Sequence, residues 1–277
     1  MAEGSGLFTV AGVGYACGAF LHLLSALLRR AGLSRVATAP VAAGFVAQTA
    51  GFVLRGLALG TLPVTNTYET LVFYGWVFAL GYLAMLLLGR WKAGRLRGVG
   101  GGVAAFAAAT IALASSPLYS PELQPLVPAL RSHWLILHVS FTLVGEGFFL
   151  VAFVASAVTL FRSGGRISQG KARSDVLERL DDLAYRAVAV GFPFFTVGGL
   201  FFGAVWAKHA WGRYWGWDPK ETFMLVTWLV YVLYLHVRLR RGWRGRRTAW
   251  IAVLGFFLAL FTFAGVNFLV RGLHSYS

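Results

Sequence analysis

Eight apolar stretches, each near the length a helix needs to cross a lipid bilayer, leave this chain few folds to choose from. They fall at 7–28, 38–59, 68–88, 99–114, 134–161, 187–207, 221–237 and 248–270. A hydrocarbon core about 30 Å thick takes about 20 apolar residues of helix, and within it every backbone N–H and C=O must be satisfied internally. With 58% hydrophobic and 13% charged residues, the expected fold is all-α: a polytopic membrane helical bundle of about eight transmembrane helices, one integral membrane domain over 1–277. The run 99–114 is short and rich in Gly and Ala. No basic cluster accompanies Met1, so no cleavable signal is expected.

The net charge of +15 could suggest nucleic acid, so its distribution decides. Nineteen of the 25 basic residues lie in every second loop, after runs one, three, five and seven. The opposite loops and the C-terminus hold only Arg131, Lys208, Arg213, Lys220 and Arg271, with Arg55 inside run two. This is the positive-inside pattern, and eight spans alternate with it without conflict. Both termini are expected on the outer side. The charge reports topology and excludes a nucleic-acid role. Cys17 is the sole cysteine and sits within run one, so the chain has no internal disulfide, is no thiol–disulfide carrier and carries no Cys-x-x-Cys-His of its own.

Between runs six and seven, on the outer side, lies Trp211-Gly-Arg-Tyr-Trp215-Gly-Trp217-Asp218-Pro219-Lys220-Glu221-Thr222. Its second half predicts a capping box, with Asp218 as N-cap, Pro219 at the first helical position and Glu221 at the third. The aromatic cluster needs a separate cause. Tryptophan suits the membrane–water interface, where its ring is buried and its N–H stays wet. Alternatively, a loop of flat rings with spare N–H donors forms a shelf for a flat aromatic ligand. Trp206 precedes this loop, which extends over about 206–222.

Two other stretches carry polar groups that an apolar chain must justify. Arg55 ends run two and Glu69 heads run three at similar depth, either as an ion pair or each reaching separately to the interface. The outer segment 115–132 holds four prolines and reads as an extended cover. On the inner side, Leu177, Leu180, Leu183 and Ala184 recur at helical spacing among charges, which predicts an amphipathic surface helix over 175–185.

Sorted by depth, His133, His138, His209 and His274 lie at or near the outer face, and His22 and His236 in the inner half. His138 stands five residues beyond His133, about 7 Å deeper along a helix. His236 lies fifteen residues beyond Glu221, about 22 Å deeper. A membrane histidine can hydrogen-bond between helices, relay protons or ligate a metal. Two neutral imidazoles facing one another fit a haem iron, and a flat aromatic shelf beside outer histidines makes haem the economical ligand. Composition and spacing thus reach a polytopic membrane protein with an outward-facing haem site.

The tryptophan loop resembles the "WWD" signature of the haem-handling superfamily, in the Asp-Pro-Lys-Glu-Thr form of the CcsA (ResC) proteins of System II cytochrome c biogenesis. The resemblance extends through Pro63-x-x-Asn66-x-Tyr68-Glu69, Ser132-His133-Trp134-Leu-x-x-His138-Val, Leu180-Asp-x-Leu-x-Tyr185-Arg186, Tyr234-Leu-His236 and Gly265-Val-Asn-x-Leu to Gly272-Leu-His274-Ser-Tyr276. It implies a multi-pass protein of the bacterial cytoplasmic membrane that works with a CcsB (ResB) subunit as part of a cytochrome c synthase, or haem lyase. That complex moves haem b, held non-covalently in transit, to the outer face for attachment to an apocytochrome c bearing Cys-x-x-Cys-His, with thiol-reducing proteins acting indirectly. His138 and His274 match the family's two external iron ligands, and Trp206, Trp211, Trp215, Trp217 and Asp218 would contact the haem. His236 matches a transmembrane ligand whose partner histidine the family places in CcsB, with His22 as an internal alternative at similar depth. No acid–base catalyst is assigned. A membrane b-type cytochrome and a haem exporter without an attachment role are the competing readings.

Overall fold

The computed structural model describes residues 4–88, 97–122, 132–164 and 171–266. It is built from helices: α1 (Ser5–Leu27), α2 (Ala31–Leu59), α3 (Thr67–Leu88), α4 (Arg97–Ala114), α5 (His133–Gly164), α6 (Lys171–Phe195), α7 (Gly203–Trp211), α8 (Pro219–Arg240) and α9 (Arg246–Leu260). Two π-helical stretches, Thr196–Phe202 and Phe261–Gly265, continue α6 and α9. No strand occurs among the described residues. Seven helical segments are long and apolar enough to cross a membrane, and α4 is a shorter apolar helix. All eight apolar runs are thus helical across their described residues, and the protein is a polytopic helical membrane bundle.

The chain divides into two compact units, Met1–Leu130 and Arg131–Ser277. In the first, α1 packs along α2 and α4, and α4 along α3. Small residues let the backbones meet, as membrane helices require: a Cβ on Gly14 would lie 2.8 Å from the Pro40 carbonyl oxygen and 3.1 Å from the Gly44 Cα. At one end of this unit Arg55 and Glu69 form a fully buried ion pair at 3.0 Å. The Glu69 carboxylate also accepts from the Thr65 N–H (2.9 Å) and hydroxyl (2.8 Å), and Arg55 donates to the Pro121 carbonyl at 2.8 Å. The pairing alternative therefore holds over separate reach to the interface. Pro121 belongs to the proline-rich segment, whose residues 123–131 lie outside the described ones.

In the second unit α5 packs against α6 and α9, and α8 against α9. Here the sequence reading needs a correction. The segment 175–185 is no separate surface helix but the first half of α6, continuous with the sixth apolar run. Its apolar face turns to protein from Leu180 onward: Leu180, Leu183 and Ala184 are buried, and so is Asp181, while Leu177 is half-buried. Asp181 pairs with buried Arg238 and accepts from the Gly245 N–H (2.8 Å) and the Thr248 hydroxyl (3.1 Å), so one carboxylate ties α6, α8 and α9 together. A buried carboxylate is tolerable only with such saturation.

Candidate functional site

The tryptophan loop is built from its carboxylates. Asp218 caps α8 and Glu221 completes the capping box, as the spacing predicts. Glu221 does more than return the cap. Its Oε2 accepts from the Gly216 N–H at 2.7 Å and the Asp218 N–H at 3.2 Å, clamping the loop on either side of Trp217. The clamp holds Trp217 in the left-handed backbone region (φ +56°), which a side chain that bulky adopts only when its surroundings impose it. The indole is presented outward, 69% exposed. At the loop's other end, Gly212 (φ +79°) terminates α7, and Lys208 donates to its carbonyl at 2.8 Å.

The tryptophans separate by depth. Trp206 is buried and Trp217 exposed, with Trp211 and Trp215 half-buried between them. Trp206 and Trp211 meet with centroids 4.9 Å apart, and Trp215 and Trp217 at 5.7 Å, both edge to face. The Trp215 Nε1–H is buried without an acceptor among the described residues, and an unmade bond of that kind costs about 1–3 kcal/mol. A plain interfacial belt would instead keep indole N–H groups wet.

His138 is the histidine that meets this aromatic group, through Trp206. Its ring lies parallel to Trp206, with centroids 5.9 Å apart and planes 8° apart. Its Nδ1 is 2.9 Å from the Gly198 carbonyl oxygen. A carbonyl only accepts, so the hydrogen sits on Nδ1 and Nε2 carries the lone pair that a metal would take. Gly198 lies in the π-helical stretch, three residues beyond the last residue of α6, and its carbonyl also accepts from the Gly203 N–H, so the two acceptor sites of one oxygen serve backbone and imidazole together. Pro193, inside α6, removes one backbone donor and crowds the turn that precedes it.

Glycines allow the approach. A Cβ on Gly198 would lie 2.4 Å from the Thr142 nitrogen on α5, and one on Gly203 would lie 3.0 Å from both Cε1 and Nδ1 of His138. The sequence reading missed these two glycines, the Gly198 carbonyl and the clamping role of Glu221. The Gly198-Gly199 pair in an apolar run was the one available signal.

The remaining histidines sort differently. His133 and His209 are exposed, and His209 Nδ1 is 2.8 Å from the Val205 carbonyl one turn back. His236 stands exposed on α8 in one stripe with Leu229 and Leu233, distant along that helix from the tryptophan loop. His22, in the first unit, is fully buried, with Nδ1 3.1 Å from the Ser34 hydroxyl and Nε2 3.3 Å from the Tyr82 hydroxyl. Both of its nitrogens are engaged, which is the hydrogen-bonding alternative for a membrane histidine. His274 lies outside the described residues. Among the described residues no three His, Cys, Asp or Glu side chains gather around one metal position. The site offers one oriented imidazole stacked on an indole, with further indoles packed edge to face.

Comparison with known proteins gives the same direction. A family model described as "Cytochrome C assembly protein" matches residues 64–274. The chain is 38% identical over 274 residues to "Cytochrome c biogenesis protein CcsA" of Synechococcus sp. (strain RCC307), covering 89% of this chain and 86% of that one. The protein of the same name from Parasynechococcus marenigrum (strain WH8102) is 39% identical over 305 residues, covering 96% of each. That of Chlamydomonas reinhardtii is 38% identical over 217 residues, covering 78% of this chain and 61% of the relative. Among solved structures, "Cytochrome c Heme Lyase CcmF" superposes with a TM-score of 0.70 at 20% identity, over 94% of this chain and 46% of that one. At that identity the likeness speaks for the fold.

Proposed function

Because the chain belongs to the cytochrome c assembly family and, within it, to the CcsA cytochrome c biogenesis proteins, we propose that it holds haem b at the outer membrane face and presents it for covalent attachment to apocytochrome c. A role in cytochrome c maturation follows from the family. The observation that carries the finer reading is His138, whose Nδ1 is committed to the Gly198 carbonyl and whose ring is stacked on Trp206. His138 takes one axial position on the iron of the substrate haem, and His274 the other. The half-buried Trp211 and Trp215 and the exposed Trp217 supply the surface for the porphyrin plane, held in place by Asp218 and Glu221.

The chemistry at this site asks for alignment rather than acid–base work. Each cysteine S–H of the acceptor's Cys-x-x-Cys-His adds across a haem vinyl group. A C–S bond forms at one carbon, the hydrogen ends on the other, and no electrons are gained or lost. Fixing the macrocycle on a rigid loop turns the encounter of two thiols with two vinyls into a positioned reaction. The acceptor's own histidine then displaces a protein imidazole and releases the product.

His236 serves haem on its way across the membrane. An exposed histidine on a transmembrane stripe needs a partner, and a CcsB subunit docked along α8 supplies the second ligand. His22, hydrogen-bonded at both nitrogens, is left out of this route. On this reading the protein works in the bacterial cytoplasmic membrane, with both termini and the tryptophan loop outside.

The deciding experiment is a visible spectrum and haem quantification of the purified chain, with and without CcsB, beside His138→Ala and His274→Ala. Loss of low-spin haem in either variant, restored by added imidazole, is the expected result. A full haem complement in both variants overturns the outer site. Haem that depends only on His236 shifts the function to transport without an outer ligand pair.

A further inference from the structure

The turn between α8 and α9 carries positive charge in a form that topology alone does not explain. Residues 238–247 include six arginines and no lysine. Arg238 is turned inward to Asp181 and to the Trp243 carbonyl at 3.3 Å. The other five, Arg240, Arg241, Arg244, Arg246 and Arg247, are exposed. The sequence has no acidic residue after Glu221, and Asp181 is already occupied by Arg238, Gly245 and Thr248.

The turn is also fixed in shape. The N–H groups of Arg241 and Trp243 both donate to the Val237 carbonyl, at 3.2 and 3.1 Å, and Gly242 and Gly245 adopt φ of +64° and +68°. The Arg247 guanidinium stands over the Trp243 ring, 5.5 Å from its centroid. From Arg247 an exposed apolar stripe runs along α9 through Trp250 (58%), Leu254 (55%) and Phe257 (56%) at helical spacing.

Five guanidinium groups gathered on a fixed turn repel one another, and Arg246 and Arg247 add to this by standing at the positive end of α9. An anion from outside the chain relieves both effects. Positive-inside topology requires only charge, which lysine supplies equally. Arginine instead offers a planar fork that grips two phosphate oxygens at once. A ligand that meets both the guanidinium cluster and the apolar stripe has an anionic phosphate head and a hydrocarbon tail.

We propose that the α8–α9 turn is a binding site for an anionic phospholipid, with its phosphate on Arg244, Arg246 and Arg247 and an acyl chain along Trp250, Leu254 and Phe257. The site stands independently of haem. It anchors the inner end of α8, the helix that bears His236, at a set depth.

The test uses the full chain in nanodiscs of phosphatidylcholine with or without phosphatidylglycerol, reading retained lipid by native mass spectrometry and the thermal unfolding midpoint. Arg244→Lys/Arg246→Lys/Arg247→Lys keeps charge and topology, whereas the corresponding glutamine variant removes the site. Wild type is expected to retain phosphatidylglycerol and unfold at higher temperature with it. The lysine variant binds it about tenfold more weakly, and the glutamine variant loses the preference over phosphatidylcholine. Trp250→Ser weakens retention with every charge in place. Equal retention of the two lipids by wild type overturns the proposal, as does undiminished phosphatidylglycerol retention in the lysine variant should the glutamine variant fail to insert. So does an equal stabilisation by inorganic phosphate alone, which would make the ligand a free anion.

Discussion

His138 and Trp206 lie ring over ring, 5.9 Å between centroids and 8° from parallel, with Trp206 buried. The indole therefore fixes the plane of the imidazole while the Gly198 carbonyl, 2.9 Å from Nδ1, fixes its rotation within that plane.

Trp206→Phe should keep a ring under His138 and retain haem, with a shifted Soret band. Trp206→Ala should cost about 3–5 kcal/mol of stability and lose most of the haem. Absorbance per unit protein and thermal unfolding in detergent separate the two effects. Unchanged haem content in Trp206→Ala would show that the stack does not position the ligand.

Gly203→Ala puts a methyl carbon 3.0 Å from the His138 ring, and Gly198→Ala puts one 2.4 Å from the Thr142 backbone nitrogen. The first has only a side chain to displace, the second a backbone. Gly203→Ala is expected to fold, with altered iron ligation seen by electron paramagnetic resonance. Gly198→Ala is expected to be the less stable of the pair by thermal unfolding.

Glu221→Ala removes the acceptor of the Gly216 and Asp218 N–H groups. Hydrogen exchange at those two amides should accelerate while α8 beyond its first turn stays protected. Asp218→Ala costs about 1 kcal/mol as a lost cap, and Asp218→Asn should recover most of it. Exchange rates that leave Gly216 unchanged in Glu221→Ala would mean the clamp has no effect on the loop.

Arg55→Ala leaves the Glu69 carboxylate, 1% exposed, without its cation and should cost about 3–5 kcal/mol. The double variant Arg55→Met/Glu69→Leu should be milder than Arg55→Ala, since no uncompensated charge remains. Thermal melts of the purified variants give the order.

The spans were legible because lipid leaves the backbone no other choice, and the capping box because its residues are neighbours in sequence. Arg55 and Glu69 stand fourteen residues apart, close enough to suggest pairing but not to choose it. His138 and Trp206 are 68 residues apart in the sequence, so no periodicity connects their rings. Asp181 reads as one of several charges on a surface helix, and only packing reveals that it is buried. The π-helical stretch left no trace beyond a glycine pair, since apolar residues fill a wide turn as readily as a regular one.

That wide turn makes the site's alignment a question of helical phase. A π turn holds one residue more than an α turn, and each residue rotates a helix by about 100°. Deleting a single residue within 196–202 would let α6 run into α7 at regular winding with Trp206 kept in phase, whereas deleting one at 204 or 205, beyond the π stretch, would turn Trp206 by that angle away from His138 with every side chain of the pair intact. Substitutions test what the site is made of; a one-residue deletion tests how it is aimed. A change of length at a position that touches no ligand is thus expected to be as consequential as loss of the His138 imidazole itself.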